Sequence, residues 1–113
     1  MGLIYKIVPA ALWRAALEAG VFIGAPIDVT DGYIHFSTAA QARETAARHF
    51  VGQADLTLVA VDAAALGGAL RWEASRGGAL FPHLYAPLST SAALWAKPLP
   101  LAQDGHDFTG LLA

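Results

Sequence analysis

The spacing of apolar and polar positions changes period several times along this chain, and each change marks an element. From Leu3 to Val8 the residues alternate, with Ile4, Lys6 and Val8 on one face and Leu3, Tyr5 and Ile7 on the other. That is the period of a strand. Pro9 suits a first helical position, and Leu12, Trp13, Ala16 and Leu17 form an apolar stripe that stops at Gly20, predicting a helix. Residues 21–30 contain Gly24 and Pro26 and show no period, so they read as a loop. Asp31-Gly32 signals a turn, and Tyr33 to Phe36 a short strand. Its alternation sets Tyr33, His35 and Ser37 on one face and Ile34 and Phe36 on the other. Thr38 followed by Gln41 is a capping-box pattern, predicting a second helix to about Phe50 with Ala42 and Ala46 on its apolar stripe.

The second half reads as strands. Leu56 to Val61 is apolar on both faces apart from Thr57, which predicts an interior strand. A turn over 62–68 leads to a strand from Ala69 to Glu73, where Arg71 and Glu73 share one face and Leu70 and Trp72 the other. Residues 75–78 are a flexible link. Pro82 to Leu88 is extended, with His83 and Tyr85 on one face, and its prolines direct it to a sheet edge or strand end. Residues 92–101 predict a last strand, and residues 102–113 a loose tail. Two helices early and several strands late give an α+β domain spanning 1–113, with a mostly antiparallel sheet.

Composition narrows the partners. Seven Lys and Arg against nine Asp and Glu leave a net charge of −2 without a basic block, which argues against nucleic acid. The absence of cysteine excludes disulfides and thiolate chemistry and fits a cytoplasmic protein. The most apolar stretch, 56–70, is too short for a membrane span and contains Asp62. A hydrophobic content of 56% leaves room for a homodimer interface.

Three polar pairs carry the candidate chemistry. His35 and Ser37 lie beside a predicted helix N-terminus, where a ribose or phosphate is favoured; taken alone, the pair is more simply explained as a backbone-satisfied His and a capping Ser. Arg71 and Glu73 place a carboxylate beside a cation, fit to orient a sugar hydroxyl or act as a base, or merely to form a solvated ion pair. His83 and Tyr85 suit a planar ring, or the polar-tipped edge of a core. No local spacing supports a metal site, so no metal is expected, and no nucleophile-elbow, dinucleotide-fingerprint or Walker pattern is present.

Taken together, Tyr5-Lys6-Ile7-Val8, Trp13, Asp31 to Thr38, Leu70-Arg71-Trp72-Glu73 and Phe81-Pro82-His83-Leu84-Tyr85 resemble the small bacterial proteins grouped as domain of unknown function 952. The resemblance covers Leu3 to about Leu101 and carries no established activity. It implies an ADP-ribosyltransferase-like fold, with a split, mostly antiparallel sheet and two main helices around a cleft that holds NAD in true transferases. His35-x-Ser37 is similar to a motif of the RNA 2′-phosphotransferase branch. Lys6 stands where transferases often carry a His next to a small hydroxyl residue. In that frame Lys6 and Arg71 meet phosphate, and His35 and Ser37 hold a ribose. Tyr85, beside His83, stacks on the nicotinamide-like ring. Glu73 orients a ribose hydroxyl and stabilises charge at the anomeric carbon. The alternative is a non-catalytic module of the same fold that binds a small molecule or a protein.

Overall fold

The computed structural model describes residues 2–112. In chain order the elements are β1 (Leu3–Pro9), α1 (Ala10–Ala19), β2 (Val21–Phe22), α2 (Pro26–Asp31), β3 (Ile34–His35), β4 (Ser37–Thr38) and α3 (Ala39–His49). There follow β5 (Leu56–Asp62), β6 (Leu70–Ser75), β7 (Ala79–Leu84), β8 (Leu88–Ser89), β9 (Ala93–Leu99), β10 (Leu101–Ala102) and β11 (Gly105–His106). Short 3₁₀ segments occupy 63–69, 76–78 and 90–92. The class is α+β with antiparallel sheets, and no helix among the described residues is long and apolar enough to cross a membrane.

The main sheet has the order β4-β1-β5-β9. β1 and β5 pair antiparallel from Leu3 opposite Asp62 to Pro9 opposite Leu56. β5 is interior, as its two-faced apolar pattern predicted, and both faces of the sheet are covered. Ile4, Val8, Val59 and Val61 pack with Trp13 and Ala16 of α1 and with Phe22, Leu84 and Leu88. Tyr5, Ile7, Leu58 and Ala60 pack with Ala42 and Ala46 of α3 and with Leu99 and Phe108. Each large side chain removed from water in this way contributes about 1.5–3 kcal/mol. α3 starts where the capping box requires: Gln41 N–H donates to Thr38 Oγ1 at 3.3 Å, and Thr38 N–H to Gln41 Oε1 at 3.0 Å.

A second antiparallel sheet has the order β3-β7-β6. The predicted strand 33–36 does not continue as one strand into Ser37. It breaks at Phe36: β3 pairs with β7, whereas β4 pairs with β1. Phe36 is buried at this crossing, and its N–H donates to the Pro82 carbonyl at 3.0 Å.

Four other expectations need correction. Residues 21–30 are not a structureless loop but contain β2 and α2, and α2 has only six residues, too few to display a helical period. Pro9 is the cap of α1 and not its first residue, because its ψ of 135° is still that of β1. Pro82 lies in β7, the middle strand of its sheet and not an edge. It is tolerated because β3 has already ended, and the Pro82 carbonyl on that side meets Phe36 instead of a ladder partner. The tail is docked: β10 and β11 form a hairpin after the expected last strand, His106 Nε2 meets the Gln53 carbonyl at 2.8 Å, and Phe108 is buried in the core below α3. Its apolar residues find a covered surface that the linear pattern does not reveal.

Candidate functional site

The second sheet gathers the predicted polar pairs. His35 lies opposite His83, and His83 lies opposite Arg71 on the other neighbouring strand. Strand alternation then adds Glu73, two residues from Arg71, and Tyr85, two from His83, to the same face. Glu73 Oε1 is 2.8 Å from His83 Nδ1 and accepts from the Tyr85 hydroxyl at 2.8 Å. An ionised carboxylate only accepts, so His83 Nδ1 carries a proton in this pair and Nε2 is the nitrogen left to face a ligand. The bonds from His83 and Tyr85 hold the Glu73 carboxyl below its ordinary value, and the Glu73 bond pushes the Tyr85 hydroxyl above its own. The Arg71 guanidinium sits 5.0 Å over the Tyr85 ring. Tyr33 packs among them: its ring stacks on His83 with centroids 4.1 Å apart and lies 4.6 Å from His35.

Behind this face is a buried ion cluster that sequence reasoning missed. Asp28, on α2, is 1% exposed. Its oxygens take Lys6 Nζ at 2.9 and 3.0 Å, His35 Nδ1 at 2.6 Å and the N–H groups of Ala25 and His35 at 2.7 and 3.1 Å. His35 Nε2 reaches Asp31 Oδ2 at 2.9 Å, so both ring nitrogens face carboxylates. Burial alone pushes the Asp28 carboxyl up. The His35 hydrogen bond and the Lys6 charge and hydrogen bond, with the Ala25 N–H, outweigh that and hold it at about 2. Lys6 goes the opposite way from the usual salt-bridged lysine: desolvation lowers its ammonium, and Asp28 offsets only part of the loss. Asp28 has partners on several sides, whereas Lys6 rests on one. Gly24 lets α2 dock this closely; its φ is +118°, and an added Cβ would stand 2.8 Å from Asp28 Cβ.

A cavity of about 620 Å³ opens between β1, α2, α3 and the second sheet. Lys6, His35, Ser37 and His83 line it, as do Tyr33 and Asp31. Arg71, Glu73 and Tyr85 lie outside the lining; Glu73 reaches the cavity only through His83. Elsewhere on the wall, Ser37 Oγ and Thr45 Oγ1 are 2.8 Å apart, and His49 also lines the cavity. Four expected roles therefore change: Arg71 and Glu73, outside the lining, do not meet a ligand in the cavity directly, and Lys6 and Tyr85 change as well. Lys6 cannot serve as an open phosphate ligand, because its ammonium is already bound by both oxygens of Asp28. Tyr85 does not stack in the cavity; Tyr33 occupies that position. The signal for Asp28 was present as an acid flanked by Ile27 and Val29, and the signal for Asp31 was absorbed into its Asp-Gly turn. Among the described residues no group of three or more His, Asp or Glu side chains is disposed to hold a metal ion.

The crystal structure of protein CC0527 from Caulobacter crescentus matches with a TM-score of 0.91 at 52% identity, covering 95% of this chain and 95% of that one. The solution NMR structure of CC0527 matches with a TM-score of 0.88 at 52% identity, covering 100% of this chain and 98% of that one. No curated protein matches the chain. The family model described as Protein of unknown function (DUF952) matches residues 7–96, from the end of β1 through α2 and the Tyr33–His83 face to most of β9, so the chain belongs to that family.

Proposed function

We propose that the cleft binds NAD or a related nucleotide by its nicotinamide-ribosyl end. In this reading the protein transfers or hydrolyses the ribosyl group, as an enzyme of ADP-ribosyltransferase-like fold. The observation that carries this is the wall of the cavity: the Tyr33 ring stacked on His83 at 4.1 Å, with His35 beside it and the carboxylates of Asp31 and Glu73 one hydrogen bond away from the two imidazoles. Aromatic faces and carboxylates together favour a cationic planar ring. Ser37 and Thr45 offer hydroxyls that donate and accept towards a ribose.

Cleavage then follows from elementary chemistry. The anomeric C–N bond breaks, and its electron pair goes to the pyridinium nitrogen, which becomes neutral nicotinamide. Positive charge develops at the anomeric carbon and is stabilised by the nearby carboxylates. Water or an acceptor hydroxyl forms the new C–O bond and gives its proton to His83 Nε2, while Glu73 holds Nδ1–H and so sets the tautomer. Glu73 acts through His83 and is a positioning residue.

The test is calorimetric titration with NAD and ADP-ribose beside chromatography of released nicotinamide. Binding and release that fall on His35→Ala support the reading. Heat-silent titrations at millimolar ligand, unchanged by that substitution, discard it. A second reading, a non-catalytic module that binds a small molecule or protein or pairs with a second copy, draws on the exposed Ile23, Ile27 and Val29 on and beside α2. It gives no nicotinamide release, and sedimentation reports any dimer.

A further inference from the structure

We infer that the cleft is built for a phosphate-free cationic nucleoside, a ribosylated pyridinium of the nicotinamide riboside kind, in preference to a dinucleotide. The inference rests on the action on the nicotinamide–ribose bond proposed above and narrows its substrate class. Three independent observations on the lining support it.

First, the described residues of the wall offer a pyrophosphate no open lysine or arginine. Among the described residues its lining holds one lysine, no arginine and three histidines, of which His35 and His83 are already turned to carboxylates. The lysine is Lys6, with a side chain 6% exposed and an ammonium fixed on Asp28. Arg71 lies outside the lining, over the Tyr85 ring. Nor does the start of α3 offer a vacant anion site, since Thr38 and Gln41 close its first turn on each other.

Second, carboxylates stand at the cavity, Asp31 against the His35 ring and Glu73 against the His83 ring. Asp31 lines the cavity and Glu73 stands behind His83, each with a side chain 37% exposed. Tyr33 senses that field: burial, then the charges of Asp31, Glu73 and Asp28, push its hydroxyl above the ordinary value. A pyridinium gains from this potential and a phosphate is repelled by it.

Third, another part of the lining offers hydroxyls. Ser37 is 4% exposed and meets Thr45 at 2.8 Å. Such a pair exchanges hydrogen bonds readily with ribose hydroxyls. The distribution is therefore aromatic rings and carboxylates on one part of the described wall and hydroxyls on another, with no open lysine or arginine between them.

The experiment compares nicotinamide release by the intact chain from nicotinamide riboside, its 5′-monophosphate and NAD, with inorganic pyrophosphate as a competitor. The expected result is a kcat/KM for the riboside at least about tenfold above that for NAD, with the monophosphate between them and no competition by pyrophosphate. Asp31→Asn and added salt should both narrow the ratio, since each weakens the field of the carboxylates. NAD cleaved as well as the riboside, or competition by pyrophosphate, overturns the inference and leaves action on the nicotinamide–ribose bond standing. A folded chain that neither binds nor cleaves any of the three removes the proposed function itself, and this inference with it.

Discussion

The two carboxylate–imidazole pairs of this protein are built with opposite burial. In Asp28–His35 the carboxylate side chain is 1% exposed and the imidazole 33%. In Glu73–His83 the imidazole is 5% exposed and the carboxylate 37%. A buried carboxylate must be satisfied on every side or it neutralises, so Asp28 collects an ammonium, an imidazole and two backbone N–H groups. Those bonds tie α2 to β1 and β3, and so set one wall of the cavity. A neutral imidazole is far easier to bury, and an outer carboxylate needs only to orient it. The first pair is thus a structural pin, and the second is a device for presenting a ring nitrogen. The same two residue types do different work because a different member of each pair faces water.

Removing each acid separates these roles. Asp28→Ala should cost about 3–5 kcal/mol in chemical denaturation, because it leaves the Lys6 ammonium buried without its partner. A loss below about 1 kcal/mol would show that the cluster is not a pin. The next effect is acid sensitivity. The folded Asp28 carboxyl, at about 2, lies below its free value of 3.8, so the unfolded chain takes up protons first as pH falls. The pair's contribution is complete well above pH 3.8 and drains away as pH drops through 3.8 towards 2, a loss of about 2 kcal/mol. Denaturation curves of the parent and Asp28→Asn between pH 5 and pH 2 check this, and the variant's stability should depend less on pH.

Lys6→Met should cost less than half as much as Asp28→Ala. Asp28 keeps its other partners, and the desolvation that already lowers the Lys6 ammonium is relieved. Equal losses for the two would mean that the pair is held from the lysine side. Glu73→Gln should move stability least, shifting the melting point by no more than about 2 °C, as a part-exposed substitution does. Its mark should be on nicotinamide release, down about tenfold or more with an altered pH profile, because the His83 tautomer is no longer held. A large fall in melting point with unchanged release would assign Glu73 to the fold instead.

Much of the candidate site was legible because strand alternation is local. Tyr33 with His35, Arg71 with Glu73, and His83 with Tyr85 each share a face on spacing alone, and the β3-β7-β6 pairing makes those faces one. The partners of Asp28 were not legible, since Lys6 and His35 lie 22 and 7 residues away and its helix is too short to show a period. The division of labour was hidden as well. Lys6 reads as an open cation in a strand pattern, and only its contact with Asp28 removes it from the ligand's reach.

What the chain's own order determined is the set of short-range features: the two-faced β5, the capping box at Thr38 and Gln41, and the α+β class. These depend on neighbours within a few residues, where side-chain period and backbone hydrogen bonding decide the outcome. Tertiary packing alone decided that strand 33–36 breaks at Phe36 to join two sheets, that the tail docks through Phe108, and that Asp28 is buried against Lys6. Each of these turns on which distant surface is available to exclude water from an apolar or charged group, and one-dimensional spacing carries no record of that surface.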